Sequence, residues 1–259
     1  MGAISNLLAG DIASRTHPGD FTSAIKAIEK SIGEHEEELS NHWANSATVD
    51  SRVFSSCARL LLEQGAAVLL GRIDPLRLVT IIKGSSSPDF KLGYRNASSF
   101  IWNKDVVPDT KPGSGFWTQE NIAKGVHRAL LDGHLADYVF SSAHRELIDA
   151  LTDATKSETE LPDWIIDLLK LERGEPVLSK IRTLASEAYS TLSKGIHFEF
   201  FLGKETKPNV AEIRKATSRA MLAISTAALY SHFSDIAILT IDRPTAISSF
   251  LAITKKYHG

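Results

Sequence analysis

A single cysteine, Cys57, stands in a chain of 259 residues, so no disulfide can form within the chain and no cysteine-based zinc site can be built from it. That economy suits a reducing cytoplasm. Glycine is not grouped into phosphate-binding loops: there is no GxGxxG and no G-x-S-x-G elbow, and Gly203-Lys204 lacks the preceding glycine of a P-loop and runs into Glu205. Kinases, Rossmann enzymes and α/β-hydrolases are therefore disfavoured. Long apolar runs are missing too, because Arg, Glu or Asp interrupts each of them at short intervals, and no membrane span is expected. Met1 to Ala13 has neither a basic start nor a long apolar centre, so no secretory signal is read there. Charge of one sign is not in excess: the net charge is −2 and the pI about 6.5, which does not mark a general nucleic-acid binder. No internal repeat or low-complexity tract occurs.

What the chain does have is helical period. Phe21, Ile25, Ile28, Ile32, Leu39 and Trp43 recur at 3.6-residue spacing and predict a helix over 20–44, with Glu36, Glu37 and Glu38 on a solvated side. Val53, Phe54, Cys57, Leu60, Leu61, Ala67 and Val68 predict a second helix over 50–71, apolar over a wide arc and hence central. Asp74-Pro75 restarts a short helix to about residue 82, with Asp as cap and Pro at the first position. Residues 84–117 break the pattern. Gly84, the three serines after it, Pro88, Pro108, Pro112, Gly113 and Gly115 frame a long irregular insertion or functional loop carrying Tyr94, Phe100 and Trp102.

Helical period resumes at Thr118 and runs to about Asp153, broken near Gly133, with Leu135, Tyr138, Val139, Leu147 and Leu151 on its buried side. Pro162 opens a short helix through Leu171 that Gly174 ends, and Pro176 starts a helix striped by Val177, Ile181, Leu184, Ala188 and Leu192. A further helix spans about Asn209 to His232, with Val210, Ile213, Thr217, Met221, Ile224 and Ala228 on one face. Residues 236–241 fit strand or helix equally, and Pro244 opens a last helix to about Lys256. The expectation is an all-α, multi-helix bundle forming one domain over 1–259, with an N-terminal helix within 1–45 and a C-terminal helix within 236–259.

Charge is uneven along this pattern. Arg72, Arg77, Lys83, Lys91, Arg95 and Lys104 make one basic zone; Lys204, Lys207, Arg214, Lys215 and Arg219 make a second. Either could meet phosphates, and ordinary solvated surface is the plainer alternative. Glu38 and His42, four apart, could share a helix face, whereas His35–His42 and His127–His134, seven apart, span two turns, too far for a shared ion without a third element; packing surface is the better reading, and no metal site is expected. Arg128 stands six residues before His134, a pairing able to serve metal-independent RNA cleavage, with histidine taking the 2′-hydroxyl proton and arginine holding the phosphoryl charge.

The most informative stretch is Tyr189-Ser-Thr-Leu-Ser-Lys-Gly-Ile-His197, where a long helix runs out at Gly195 and presents a histidine before the next helix. Together with Arg59-Leu-Leu-Leu-Glu63 on an early helix and the amphipathic helix that follows, the Tyr189-x-x-Leu192-Ser193-x-x-Ile196-His197 phrase resembles the HEPN superfamily, helical-bundle proteins common in prokaryotic defence and toxin–antitoxin loci. The resemblance spans about residues 48–235 and is specific only around His197. It implies a cytoplasmic, HEPN-like protein without cofactor, acting as a homodimer or as a subunit of a hetero-complex, in contact with RNA or another nucleic acid. Catalytic members carry an arginine before the histidine with four to six residues between them. Here those positions hold Ser190, Thr191 and Leu192, so the motif is degenerate on its arginine side. If cleavage survives, His197 would be the general base, with Lys194, Lys204, Arg214 or a partner's arginine stabilising the phosphorane. The alternative is a non-catalytic helical subunit that binds protein or nucleic acid, with 84–117 as a contact surface. A histidine that merely caps or packs a helix end is the bland reading of His197.

Overall fold

A computed structural model describes residues 2–12, 19–45, 50–76, 78–79, 130–131, 134–196 and 209–258. Among the described residues there are eight helices and no strand: α1 (Ala3–Ala9), α2 (Gly19–Ala44), α3 (Ser51–Ile73), α4 (His134–Thr155), α5 (Asp163–Leu169), α6 (Gly174–Ile196), α7 (Val210–Phe233) and α8 (Arg243–Lys256). The all-α bundle expected from the periodicity is present. The insertion at 84–117 lies outside the described residues.

Local chemistry sets several of the boundaries. The Asp50 side chain accepts from the Arg52 amide at 2.8 Å and caps α3. Asn209 and Glu212 close a reciprocal capping box at α7: the Glu212 amide donates to the Asn209 side chain at 2.9 Å, and the Asn209 amide to the Glu212 carboxylate at 2.8 Å. Asp242 caps α8, with Pro244 in its first turn, where no intrahelical amide is lost.

α3 is the axis of the bundle. α2, α6 and α7 all pack along it, and α6 and α7 pack along each other. Its apolar arc is wide, with Phe54, Cys57, Ala58, Leu61, Leu62 and residues 65–72 all buried, but Val53 and Leu60, expected in the arc, are exposed. α3 is long and apolar enough to cross a membrane by composition alone, but 67% of that stretch is buried inside the bundle, as a core helix must be. The α2 stripe of Phe21, Ile25, Ile32 and Leu39 is buried against it. α4 covers α6 and α7, and α8 packs on α7 and α1.

Several expectations need correcting. α1 has no counterpart in the sequence reading. It is seven residues long, and a remote side chain holds its start: Glu36 of α2 accepts from the Ile4 and Ser5 amides, each at 3.0 Å. Glu36 is accordingly buried rather than on a solvated face. Tyr138, expected on the buried side of α4, is 49% exposed, whereas Phe140, Ala143 and His144 turn inward. Gly174 begins α6 instead of ending α5, and the Phe140 carbonyl of α4 comes so close that a side chain at 174 would collide with it. Residues 236–241 form neither strand nor helix. They cross the end of α3, where the Ile238 amide donates to the Arg72 carbonyl at 2.9 Å. Leu239 sits at φ 58 and its carbonyl accepts from Asp11, a close crossing that Gly10, at φ 70, permits by lacking a side chain. Arg72, assigned to a phosphate-facing basic zone, is fully buried.

Candidate functional site

One end of the bundle gathers the end of α2, the start of α3, the end of α6 and the start of α7. Gly195 lies so close to Ser55 of α3 that a side chain at 195 would collide with the serine hydroxyl, and Ile213 of α7 borders the same spot. Arg214 of α7 reaches back to α2, donating to the Trp43 carbonyl at 2.7 Å and stacking its guanidinium 4.1 Å from the Trp43 ring centre. The junction singled out in the sequence is thus a meeting point of four helices.

Two parts of the quoted resemblance, 130 residues apart, meet just inside this end. Arg59 donates to Glu63 one turn on at 3.0 Å and to the Tyr189 hydroxyl at 2.9 Å. Burial, the leading effect, raises the Tyr189 phenol above its ordinary value, and the Arg59 charge pulls the other way. The phenol stays protonated at neutral pH and the cluster is a clamp between α3 and α6.

The other expected site residues fall as follows. Lys194 is exposed in the last turn of α6, where a cation complements the helix dipole. His197, Lys204, Lys207 and Arg128 lie outside the described residues, and His134 enters only as the first residue of α4. Arg219 pairs with Glu187 of α6 at 2.7 Å, and Lys215 is exposed. Two of the five basic residues of the second zone therefore already have partners within the fold.

The same end holds a cluster that sequence reasoning met only in part. Glu38 and His42 lie one turn apart on α2, and Cys57 of α3 faces them. A carboxylate oxygen, a ring nitrogen and the thiol sulfur fall within 4.8 Å of one another. His42 Nε2 is 3.7 Å from Glu38 Oε1, too far for a hydrogen bond, and this buried nitrogen has no hydrogen-bond partner. Cys57 is buried, which pushes its thiol up to about 12, helped by a hydrogen bond to Glu38 and by the Glu38 charge. The i,i+4 spacing of Glu38 and His42 was visible in the sequence. The third member was not, because which turn of α3 faces which turn of α2 is set by packing.

Two further histidines were missed, and both are fully engaged. His232 of α7 donates from Nε2 to the Leu7 carbonyl at 2.7 Å, so its Nδ1 is an acceptor, receiving the Ile241 amide at 3.3 Å and Arg72 at 3.1 Å. Arg72 also donates to the Leu8 and Ile238 carbonyls, at 3.0 and 3.1 Å. Burial lowers its pKa to about 9, so it remains a cation at pH 7, held by carbonyls that include the last turn of α1. Burial and this neighbouring charge depress His232 to about 3. His144 donates from Nε2 to the Leu171 carbonyl at 2.9 Å and accepts from the Tyr230 hydroxyl at 2.6 Å.

The class these features define is an all-α, multi-helix bundle with polar clusters at its helix junctions. Set against known proteins, the chain matches no family model, no curated protein and no solved structure.

Proposed function

We propose that the chain is a HEPN-like helical-bundle component of a prokaryotic antiviral defence or toxin–antitoxin type system, acting in the cytoplasm as a non-catalytic subunit that binds RNA at the α6–α7 end of the bundle. The supporting observation is the clamp of Arg59, Glu63 and Tyr189, which joins two segments of the resemblance directly beneath the junction that leads to His197. The commitments of Arg214 to Trp43 and of Arg219 to Glu187 favour binding over cleavage, since neither guanidinium is left to meet a developing phosphoryl charge. Lys194 and Lys215, both exposed, supply phosphate contacts without base readout. Pairing of two copies, or docking into a larger complex, would bring a second α6 end alongside the first.

The second reading, metal-independent endoribonucleolysis with His197 as base, is favoured by one feature: Lys194 has no ion-pair partner among the described residues. Incubating full-length protein with RNA in EDTA separates the two. Salt-sensitive binding without cleavage, weakened several-fold by Lys194→Glu combined with Lys215→Glu, is the expected result. Cleavage lost in His197→Ala would replace it with the second reading. Neither binding nor cleavage would remove RNA as the partner.

A further inference from the structure

We propose that Glu38, His42 and Cys57 form a binding site for one divalent transition-metal ion of the zinc class, joining the end of α2 to the start of α3. This goes beyond the RNA-binding reading and does not depend on it.

Three observations converge. The donor atoms lie within 4.8 Å of one another, and in a tetrahedral zinc site, with bonds of about 2.0–2.3 Å, neighbouring donors stand roughly 3.3–3.7 Å apart. Glu38 and His42 already stand 3.7 Å apart, at the edge of that range, and the Glu38 side chain is half exposed. Second, Nε2 of His42 is a buried nitrogen with no partner, whereas both ring nitrogens of His144 and of His232 are used by the protein. Ser55, Gln64, Thr217 and Ser234 also bury a side-chain oxygen without a hydrogen-bond partner, but only the His42 nitrogen stands beside a carboxylate and a thiol in a set able to ligate a metal. Third, the charges match. A thiolate and a carboxylate balance a divalent ion, so the assembled site is neutral and its burial strands no charge.

The donor set also selects the ion. Sulfur and imidazole nitrogen favour zinc and cobalt, while magnesium and calcium require oxygen donors. Three protein ligands leave a fourth position, on the solvent side next to Glu38, for water. On binding, the Cys57 sulfur releases its proton to solvent as the sulfur–metal bond forms, and the His42 Nε2 lone pair and a Glu38 oxygen complete the protein's share. Without metal, Glu38 accepts from the Cys57 thiol, and that arrangement still leaves Nε2 alone.

The test is a zinc titration of reduced, chelator-stripped full-length protein against a chromophoric competitor, followed by melting with and without zinc. One tight site per chain is expected, with a zinc-dependent rise in Tm. Cys57→Ser and His42→Gln should each weaken it by more than the ~10–100-fold that loss of an outer-shell partner costs, and abolish the rise in Tm. Their metal-free melts report whether they fold. Should either fail to fold, Glu38→Gln, at a half-exposed position, provides the same comparison, again through a drop larger than the ~10–100-fold of an outer-shell loss. No zinc binding by the wild type, or binding equal in the wild type and the folded variants, would overturn the proposal.

Discussion

The two ends of α3 treat their polar groups in opposite ways. At the Arg72 end a buried cation and a buried histidine meet four backbone groups from two other segments, α1 and 236–241, and each donor finds an acceptor. At the Cys57 end a histidine nitrogen is buried with nothing to bond. Both ends are equally helical and lie in the same core, roughly 22 Å apart at 1.5 Å per residue. The difference teaches that burial of an ionisable group is not in itself a sign of function. A satisfied cluster is a structural fastener, whereas an unsatisfied one invites a ligand.

The contrast breaks most visibly at Arg72. Arg72→Met has a similar volume but strands the Leu8 and Ile238 carbonyls, and at ~1–3 kcal/mol for each a loss of about 2–5 kcal/mol is expected in urea unfolding. A loss below about 1 kcal/mol would mean the cluster fastens nothing. His232 sharpens the same point through pH. Its folded pKa, about 3, lies below its unfolded value of 6.5, so the unfolded chain takes up the proton first. Stability is fully present above pH 6.5 and is lost as pH falls toward 3, by an amount on the order of a few kcal/mol. His232→Gln should flatten this slope between about pH 6.5 and 4.5, above the range where most carboxylates titrate. Glu36→Ala, a smaller change, uncaps α1 and should cost about 0.5–2 kcal/mol, with hydrogen exchange rising at the Ile4 and Ser5 amides.

The helical skeleton is legible in the sequence wherever one face repeats. The stripe of α2, the wide arc of α3 and the capping box of α7 each carry their instruction locally. α1 does not, because its cap comes from Glu36, across the bundle. Nor does the segment 236–241, whose backbone bonds to the Arg72 side chain and carbonyl in place of a regular helix or strand. The site shows the same division. Arg59, Glu63 and Tyr189 could be quoted together only through resemblance, and the fold supplies their contact. Cys57 is the one cysteine of the chain. That count excludes sulfur-only sites, but says nothing of a lone thiol facing a Glu–His turn on another helix.

The most direct test of the contrast between the two ends is absorption on adding cobalt(II) to reduced, metal-free protein. Thiolate-to-cobalt charge transfer together with tetrahedral d–d bands, saturating at one ion per chain and absent in Cys57→Ser, is the predicted result. A spectrum without charge transfer, or one unchanged by Cys57→Ser, would contradict the claim that the unsatisfied end of α3 is built for a metal.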